Sequence, residues 1–147
     1  MENLLISACL LGNKCKYNGD SNLLDCDLID ALRKKYRLIP VCPEMAGGLS
    51  CPREPCEIVA GRVVSAGGME CTEAYAKGAD CALKLSGKFS CREALLKERS
   101  PSCGYNTVYD GSFSHTLVPG NGITAGILIK NGIKVFGETE INQLINN

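Results

Sequence analysis

Leu4-Leu5-Ile6-Ser7-Ala8-Cys9-Leu10-Leu11-Gly12 reads as a short buried strand running into a turn. The apolar run from Leu4 to Ala8 is too short for a helix, and Gly12 punctuates it. Asn22 can then cap a helix through about Tyr36, with Leu23, Leu24, Leu28, Ile29 and Leu32 on one apolar face. Arg33 to Lys35 suit the negative end of that helix's dipole. Arg37 to Cys42 follows directly as a second strand, ended by Pro43 and Gly47-Gly48.

Downstream the alternation continues. Glu57 to Val59 and Arg62 to Ser65, joined by Ala60-Gly61, predict a β-hairpin outside the main sheet. Thr72 predicts the cap of a helix to about Lys84, stopped by Ser86-Gly87, with Tyr75, Ala79, Ala82 and Leu83 inward. Ala94 to Lys97 reads as a third core strand, and Tyr109 to Pro119 as a polar, aromatic flap without sheet structure. Gly122 to Lys130 predicts a helix with Ile123, Ile127 and Leu128 buried. Ile133 to Phe136 predicts a strand, and Thr139 the cap of a terminal helix. With right-handed crossovers this order implies an α/β fold. It is a small, mostly parallel sheet with helices on both faces, Rossmann-like and three-layered, plus a short hairpin.

Bulk properties narrow the function. At 147 residues and 45% hydrophobic content, one domain over 1–147 is expected. Sixteen basic and sixteen acidic residues cancel, and no basic run exceeds Arg33-Lys34-Lys35, so no nucleic-acid partner and no membrane partner is expected. Met1-Glu2-Asn3 lacks a basic n-region and the apolar run stops at Gly12, which points to a cytoplasmic protein. In a reducing compartment ten cysteines are better read as free thiols or metal ligands than as disulfides. None shows the C-x-x-C spacing, so a metal centre must be assembled from distant segments.

Three cysteines have the right placement for that. Cys9, Cys42 (in Val41-Cys42-Pro43-Glu44) and Cys103 (in Ser100-Pro101-Ser102-Cys103-Gly104) each lie at or just beyond the C-terminal end of a predicted strand. Strand C-termini of an open α/β sheet converge on one edge, where ligands bind. Each thiol alone is better read as a small buried hydrophobe, whereas the joint placement favours a site.

These motifs, with Gly47-Gly48-Leu49, Pro52-Arg53 and Leu96-Lys97-Glu98, resemble a bacterial family long catalogued as a domain of unknown function that includes the thiouracil desulfidases. The resemblance implies a 4Fe-4S cluster held by Cys9, Cys42 and Cys103, with the fourth iron open to the sulfur of a small thiolated substrate such as a thiopyrimidine. Its activity would be non-redox removal of sulfur, with water activated by a carboxylate. Glu44 is the candidate base, although it can equally accept turn N–H bonds or pair with Arg53. Ser100 and Ser102 are candidate catalytic partners, or simply turn and cap residues.

Lys97, Glu98 and Arg53 rank below these. Lone His115 reads as an exposed loop residue, and Tyr17 as either a stacking platform or turn packing. Of the other seven cysteines, Cys26, Cys71, Cys81 and Cys91 read as structural or incidental. Cys15, Cys51 and Cys56 neighbour the proposed crevice. Two other functions stay open at this point: a non-catalytic module that carries a cluster or metal, and a cluster-free persulfide or thiol enzyme with Cys103 as nucleophile. Oligomeric state is not fixed.

Overall fold

In the computed structural model, which describes residues 1–146, strand β1 (Glu2–Ser7) occupies the middle of a four-stranded parallel sheet. Strand β2 (Tyr36–Val41) pairs with it on one side, Leu4 opposite Leu38 and Ser7 opposite Val41. The third and fourth strands of the sheet lie on the other side. β3 (Cys56–Val59) and β4 (Arg62–Ser65) form a separate antiparallel hairpin, so the next sheet strand is β5 (Glu93–Leu96), with Leu5 opposite Ala94. β6 (Thr107–Tyr109) and β7 (Leu117–Pro119) form a second hairpin, and β8 (Lys134–Gly137) completes the sheet in the order β2-β1-β5-β8. The chain leaves β1 toward β2 and returns past it to β5. The strand order therefore reverses between β1 and β5, where α/β sheets open a crevice at their C-terminal edge.

Both faces of the sheet are buried, which explains why Leu4-Leu5-Ile6 reads as an unbroken apolar run. Leu4, Ile6, Leu95 and Phe136 pack with Leu32 of α1 (Cys26–Lys35) and Leu144 of α5 (Ile141–Ile145). Leu5, Ala94 and Leu96 on the opposite face pack with Ala82 of α3 (Thr72–Lys88) and Leu128 of α4 (Ile123–Lys130). The expected three-layer α/β architecture is present. Asn147, the last residue of the expected domain, lies outside the described residues. No helix among the described residues is long and apolar enough to cross a membrane.

Several boundaries differ from expectation. Helix α1 starts at Cys26, because Asp25 accepts the Asp27 N–H at 3.0 Å while Asn22 turns toward Cys9. Thr72 does not cap α3; its hydroxyl accepts the Val63 N–H at 3.0 Å and ties the helix to the first hairpin. Ser86-Gly87 does not stop α3 either. Ser86 donates its hydroxyl to Leu83 O at 2.6 Å, and the helix runs on to Lys88. Segment 109–119 carries part of the second hairpin, whose three-residue strands are too short for alternation to be legible. In α4 Leu128 is buried as expected, whereas Ile123 and Ile127 are half-buried and Thr124 and Ala125 fill the core. Thr139 falls in a 3-10 turn, Glu138–Glu140, ahead of α5. The first hairpin matches expectation: Ala60 and Gly61 both have positive φ (50° and 80°), as its two-residue turn requires.

One unanticipated element matters for the site. Pro43 starts a one-turn helix α2 (Pro43–Ala46), which is pressed against α3. A Cβ on Gly78 would stand 1.9 Å from Pro43 O, so only glycine permits this approach. Gly78→Ala should therefore cost about 2–3 kcal/mol in urea unfolding by overpacking. Gly87→Ala, a helical position with open space around it, should stabilise by about 0.5–1 kcal/mol. Equal effects from the two variants would show that this close approach carries no energetic weight.

Candidate active site

Three loops leave the sheet's C-terminal edge and line one cavity of about 530 Å³. The first follows β1 through a 3-10 turn, Ala8–Leu11, that holds Cys9; Gly12 ends it at φ 97°. Asn22 donates its backbone N–H to Cys9 O at 3.0 Å, closing the loop. The second loop begins with Cys42, directly after β2 and before α2. The third is Ser100-Pro101-Ser102-Cys103-Gly104, gripped by the start of α4: Ile123 N–H donates to Pro101 O and Thr124 N–H to Ser102 O, both at 2.8 Å. Cys9, Cys42 and Cys103 all line the cavity, as do Glu44, Ser100 and Ser102.

Cys9 and Cys103 are buried and Cys42 is half-buried. Burial pushes the Cys9 thiol up; a hydrogen bond from Asn22 draws it down, nearby Cys42 adds to the rise and Lys97 offsets it. Burial pushes Cys103 up to about 12, against hydrogen bonds from Ser7 and Ser102. Cys42 Sγ lies 3.9 Å from Cys15 O, and the Cys15 thiol, also in the cavity, is pushed up to about 12 by burial and by Cys42. All ten cysteines are free thiols. The three sulfurs of Cys9, Cys42 and Cys103 do not all lie within 4.8 Å of one another. A single tetrahedral ion with Zn–S bonds of about 2.3 Å would require tighter spacing. A cluster bound by thiolates on separate irons would not.

These thiols have ordinary values near 9 when unfolded, so burial makes stability pH-dependent. The neutral form is favoured in the fold. The stabilisation is intact below about pH 9 and is lost as pH rises toward 12, by up to about 1.4 kcal/mol per group per pH unit. The urea midpoint of the cluster-free protein should fall between pH 8 and pH 10.5. A flat profile would contradict this.

Glu44, in the first turn of α2, faces the thiols with both oxygens engaged. Oε2 accepts from Arg53 Nε at 2.9 Å and also, more closely, from Nη2, so both donors end on one oxygen. Oε1 accepts from Ser102 Oγ at 2.8 Å and Ser100 Oγ at 3.2 Å. Arg53 also donates to Cys15 O and Ser50 O, at 2.9 and 3.0 Å, so it staples two loops to the carboxylate. Burial opposes the Arg53 charge and Glu44 overcomes that opposition, so its value rises. The two serines differ in kind. Ser102 is 1% exposed; Ser100 is more accessible, and its Oγ accepts the N–H groups of Ser102 and Cys103 at 3.1 and 3.2 Å.

Comparison with known proteins decides the family. A family model described as 2-thiouracil desulfurase matches residues 4–140, nearly the whole chain. The chain belongs to the 2-thiouracil desulfurase family. It is 36% identical to the uncharacterized protein YbbK of Bacillus subtilis (strain 168), over 97% of this chain and 99% of that protein. Its fold is similar to that of TudS, a 4Fe-4S-dependent thiouracil desulfidase, with a TM-score of 0.93 and 40% identity; the match covers 98% of this chain and 95% of that one.

Within this desulfurase-family chain the lesser candidates separate. Lys97 lines the cavity but ion-pairs with Glu138 at 2.7 Å, and Glu98 accepts the Thr139 N–H, fixing the start of the C-terminal segment. Tyr17 and exposed His115 both line the cavity. Cys15 and Cys56 line it too, whereas Cys51 instead lies against Lys14 O and Lys16 O. Sequence reasoning missed Glu57 and the site role of Tyr75, both buried in the cavity wall. Tyr75 reads only as an inward helix residue. Burial, with Glu44 and Cys56 adding to it, holds its hydroxyl far above the ordinary range, as a neutral donor.

Proposed function

We propose that residues 1–147 form a single iron–sulfur-dependent desulfidase domain that converts the thiocarbonyl of a small thiolated molecule, such as a thiopyrimidine, to a carbonyl. Water supplies the oxygen and sulfur departs as hydrosulfide, so no net electron transfer is needed. The carrying observation is that three thiols from the loops that follow three sheet strands share one cavity wall with a hydrogen-bonded Glu44–Ser100–Ser102 group, in a chain 40% identical to a 4Fe-4S-dependent thiouracil desulfidase.

The donor set suits that cluster: three soft thiols in one cavity that do not all lie within 4.8 Å of one another, wider than one tetrahedral ion requires. Cys9, Cys42 and Cys103 would hold it, and when bound it supplies a soft Lewis-acidic iron with no protein ligand, suited to sulfur.

The chain's own residues do the proton chemistry. Arg53 occupies Oε2 of Glu44 and leaves Oε1 as the oxygen available to water. Ser102, buried, holds Oε1 in place. Ser100 has both lone pairs of its hydroxyl engaged by backbone N–H groups, so it acts as a donor only. When it turns that proton from Glu44 to the substrate, a lone pair of Oε1 becomes free to accept the proton of an attacking water.

A carrier has no use for this carboxylate. A cluster-free thiol enzyme needs one nucleophilic thiol and gives no reason for Cys9 and Cys42 to share the cavity with Cys103. The test is anaerobic reconstitution followed by conversion of 2-thiouracil to uracil with sulfide measured. Equal amounts of uracil and sulfide are expected. Cluster assembly without turnover on any thiobase would overturn the enzyme reading, and failure to bind iron would favour the thiol mechanism.

A further inference from the structure

The tip of the second hairpin, residues 110–116, contributes Phe113 and His115 to the wall of the same cavity. Both residues adopt positive φ, 58° and 60°, a conformation that non-glycine residues rarely take and that persists only where the surroundings impose it. The loop closes on itself through Asp110 N–H to Thr116 O at 2.9 Å, and through hydroxyl contacts among Ser112, Ser114 and Thr116. Among the described residues, the hydrogen bonds that tie it to another part of the chain both end on one atom. Gly111 and Phe113 donate their N–H groups to Glu57 Oε1, at 3.0 and 3.1 Å.

Glu57 is on β3, opposite Val64, and is 8% exposed. A carboxylate buried to this degree needs strong partners, and two N–H donors converging on one oxygen provide them. Next to the loop, Tyr109 meets His115 edge-on, ring centres 5.8 Å apart. Of the chain's five tyrosines and three phenylalanines, four line this one cavity: Tyr17, Tyr75, Tyr109 and Phe113. Such a concentration fits a planar heterocycle, whose faces aromatic side chains cover well.

We propose that Glu57 is a positioning residue for substrate binding: its buried carboxylate fixes loop 110–116 so that Phe113 and His115 form the cavity wall that receives the planar face of the thiolated ring. This rests on the desulfidase reading above for the nature of the ring. Glu57 touches no reacting atom, so its loss weakens binding more than chemistry. A Gln at this position retains an oxygen that can accept both N–H groups and preserves most of the effect.

The experiment uses the cluster-reconstituted protein with 2-thiouracil as probe, comparing wild type, Glu57→Ala, Glu57→Gln and Phe113→Leu. Amide exchange of the 110–116 segment, equilibrium dialysis and steady-state turnover are measured on each. In Glu57→Ala the Gly111 and Phe113 amides should exchange at least tenfold faster, and Kd and KM should rise about tenfold with kcat within about threefold of wild type. Glu57→Gln should recover most of this. Phe113→Leu should raise Kd without releasing the loop, which keeps the wall testable if Glu57→Ala fails to fold. A released loop with unchanged Kd overturns the proposal and leaves the desulfidase reading standing. Wild-type binding without turnover overturns the desulfidase reading, while a Kd shift in the variants still supports the wall. No binding by wild type overturns both.

Discussion

Replacing Cys9, Cys42 or Cys103 singly by alanine should abolish stable iron binding on anaerobic reconstitution and reduce 2-thiouracil turnover by roughly 10³-fold or more. The magnitude follows from removing a Lewis acid worth several kcal/mol, each 1.36 kcal/mol being a tenfold change in rate. A cluster with three protein ligands has none to spare. The fold should survive, because a buried thiol behaves as a small hydrophobe and its loss leaves a cavity of about one sulfur atom. Iron content, cluster absorbance and circular dichroism measured together separate the two effects. Cys26→Ala is the matched control, since that thiol is exposed at the start of α1, on another part of the molecule. Retention of a full cluster in any one of the three variants would show that a different thiol serves there. Cys15, beside Cys42 and in the same cavity, is the first to examine.

Glu44→Gln should lower kcat by about 10²- to 10⁴-fold, the range for loss of a general base, while cluster absorbance survives. The substitution also removes the anion paired with Arg53, whose side chain is only 8% exposed. Breaking one partner out of such a pair costs about 3 kcal/mol or more, so stability must be followed alongside rate. Glu44→Gln combined with Arg53→Gln resolves the ambiguity. Removing both charges should restore part of the stability and none of the turnover. If activity returns with stability, Glu44 is a structural anion that orders the Cys15 and Ser50 loops through Arg53, and the base lies elsewhere.

The boundaries that sequence reasoning placed well, and those it did not, differ by what stabilises them. The Ala60-Gly61 turn is dictated by local backbone chemistry and appears as expected. The Leu4–Ile6 strand is dictated by burial on two faces and also appears. Asn22 and Thr72 are good caps by composition, yet their side chains bond to Cys9 and Val63 instead; α1 starts four residues beyond Asn22, at Cys26, while α3 starts at Thr72 itself, with Cys71 at the cap position. Local propensity loses wherever a tertiary partner competes for the same polar group. Helix α2 was illegible because it is one turn long and held by a glycine thirty-odd residues away in α3.

The same division runs through the candidate site. The motifs around Cys9 and Cys42 mark strand ends and that of Cys103 the loop after β5, and a parallel sheet necessarily brings those loops to one edge. Sequence by itself therefore determined the sheet and the order of its loops, because hydrophobic runs and turn residues act over a few positions, whereas the fold brings Cys15 and Cys56 into the same cavity as Cys9, Cys42 and Cys103. Tertiary structure alone decided which serine is accessible and which is buried. It also engaged all the lone pairs of Glu44, put Tyr75 and Glu57 in the cavity wall and pinned loop 110–116 to a carboxylate more than fifty residues away. These are distance-dependent contacts between side chains remote in sequence, and no local pattern encodes them before the chain has folded.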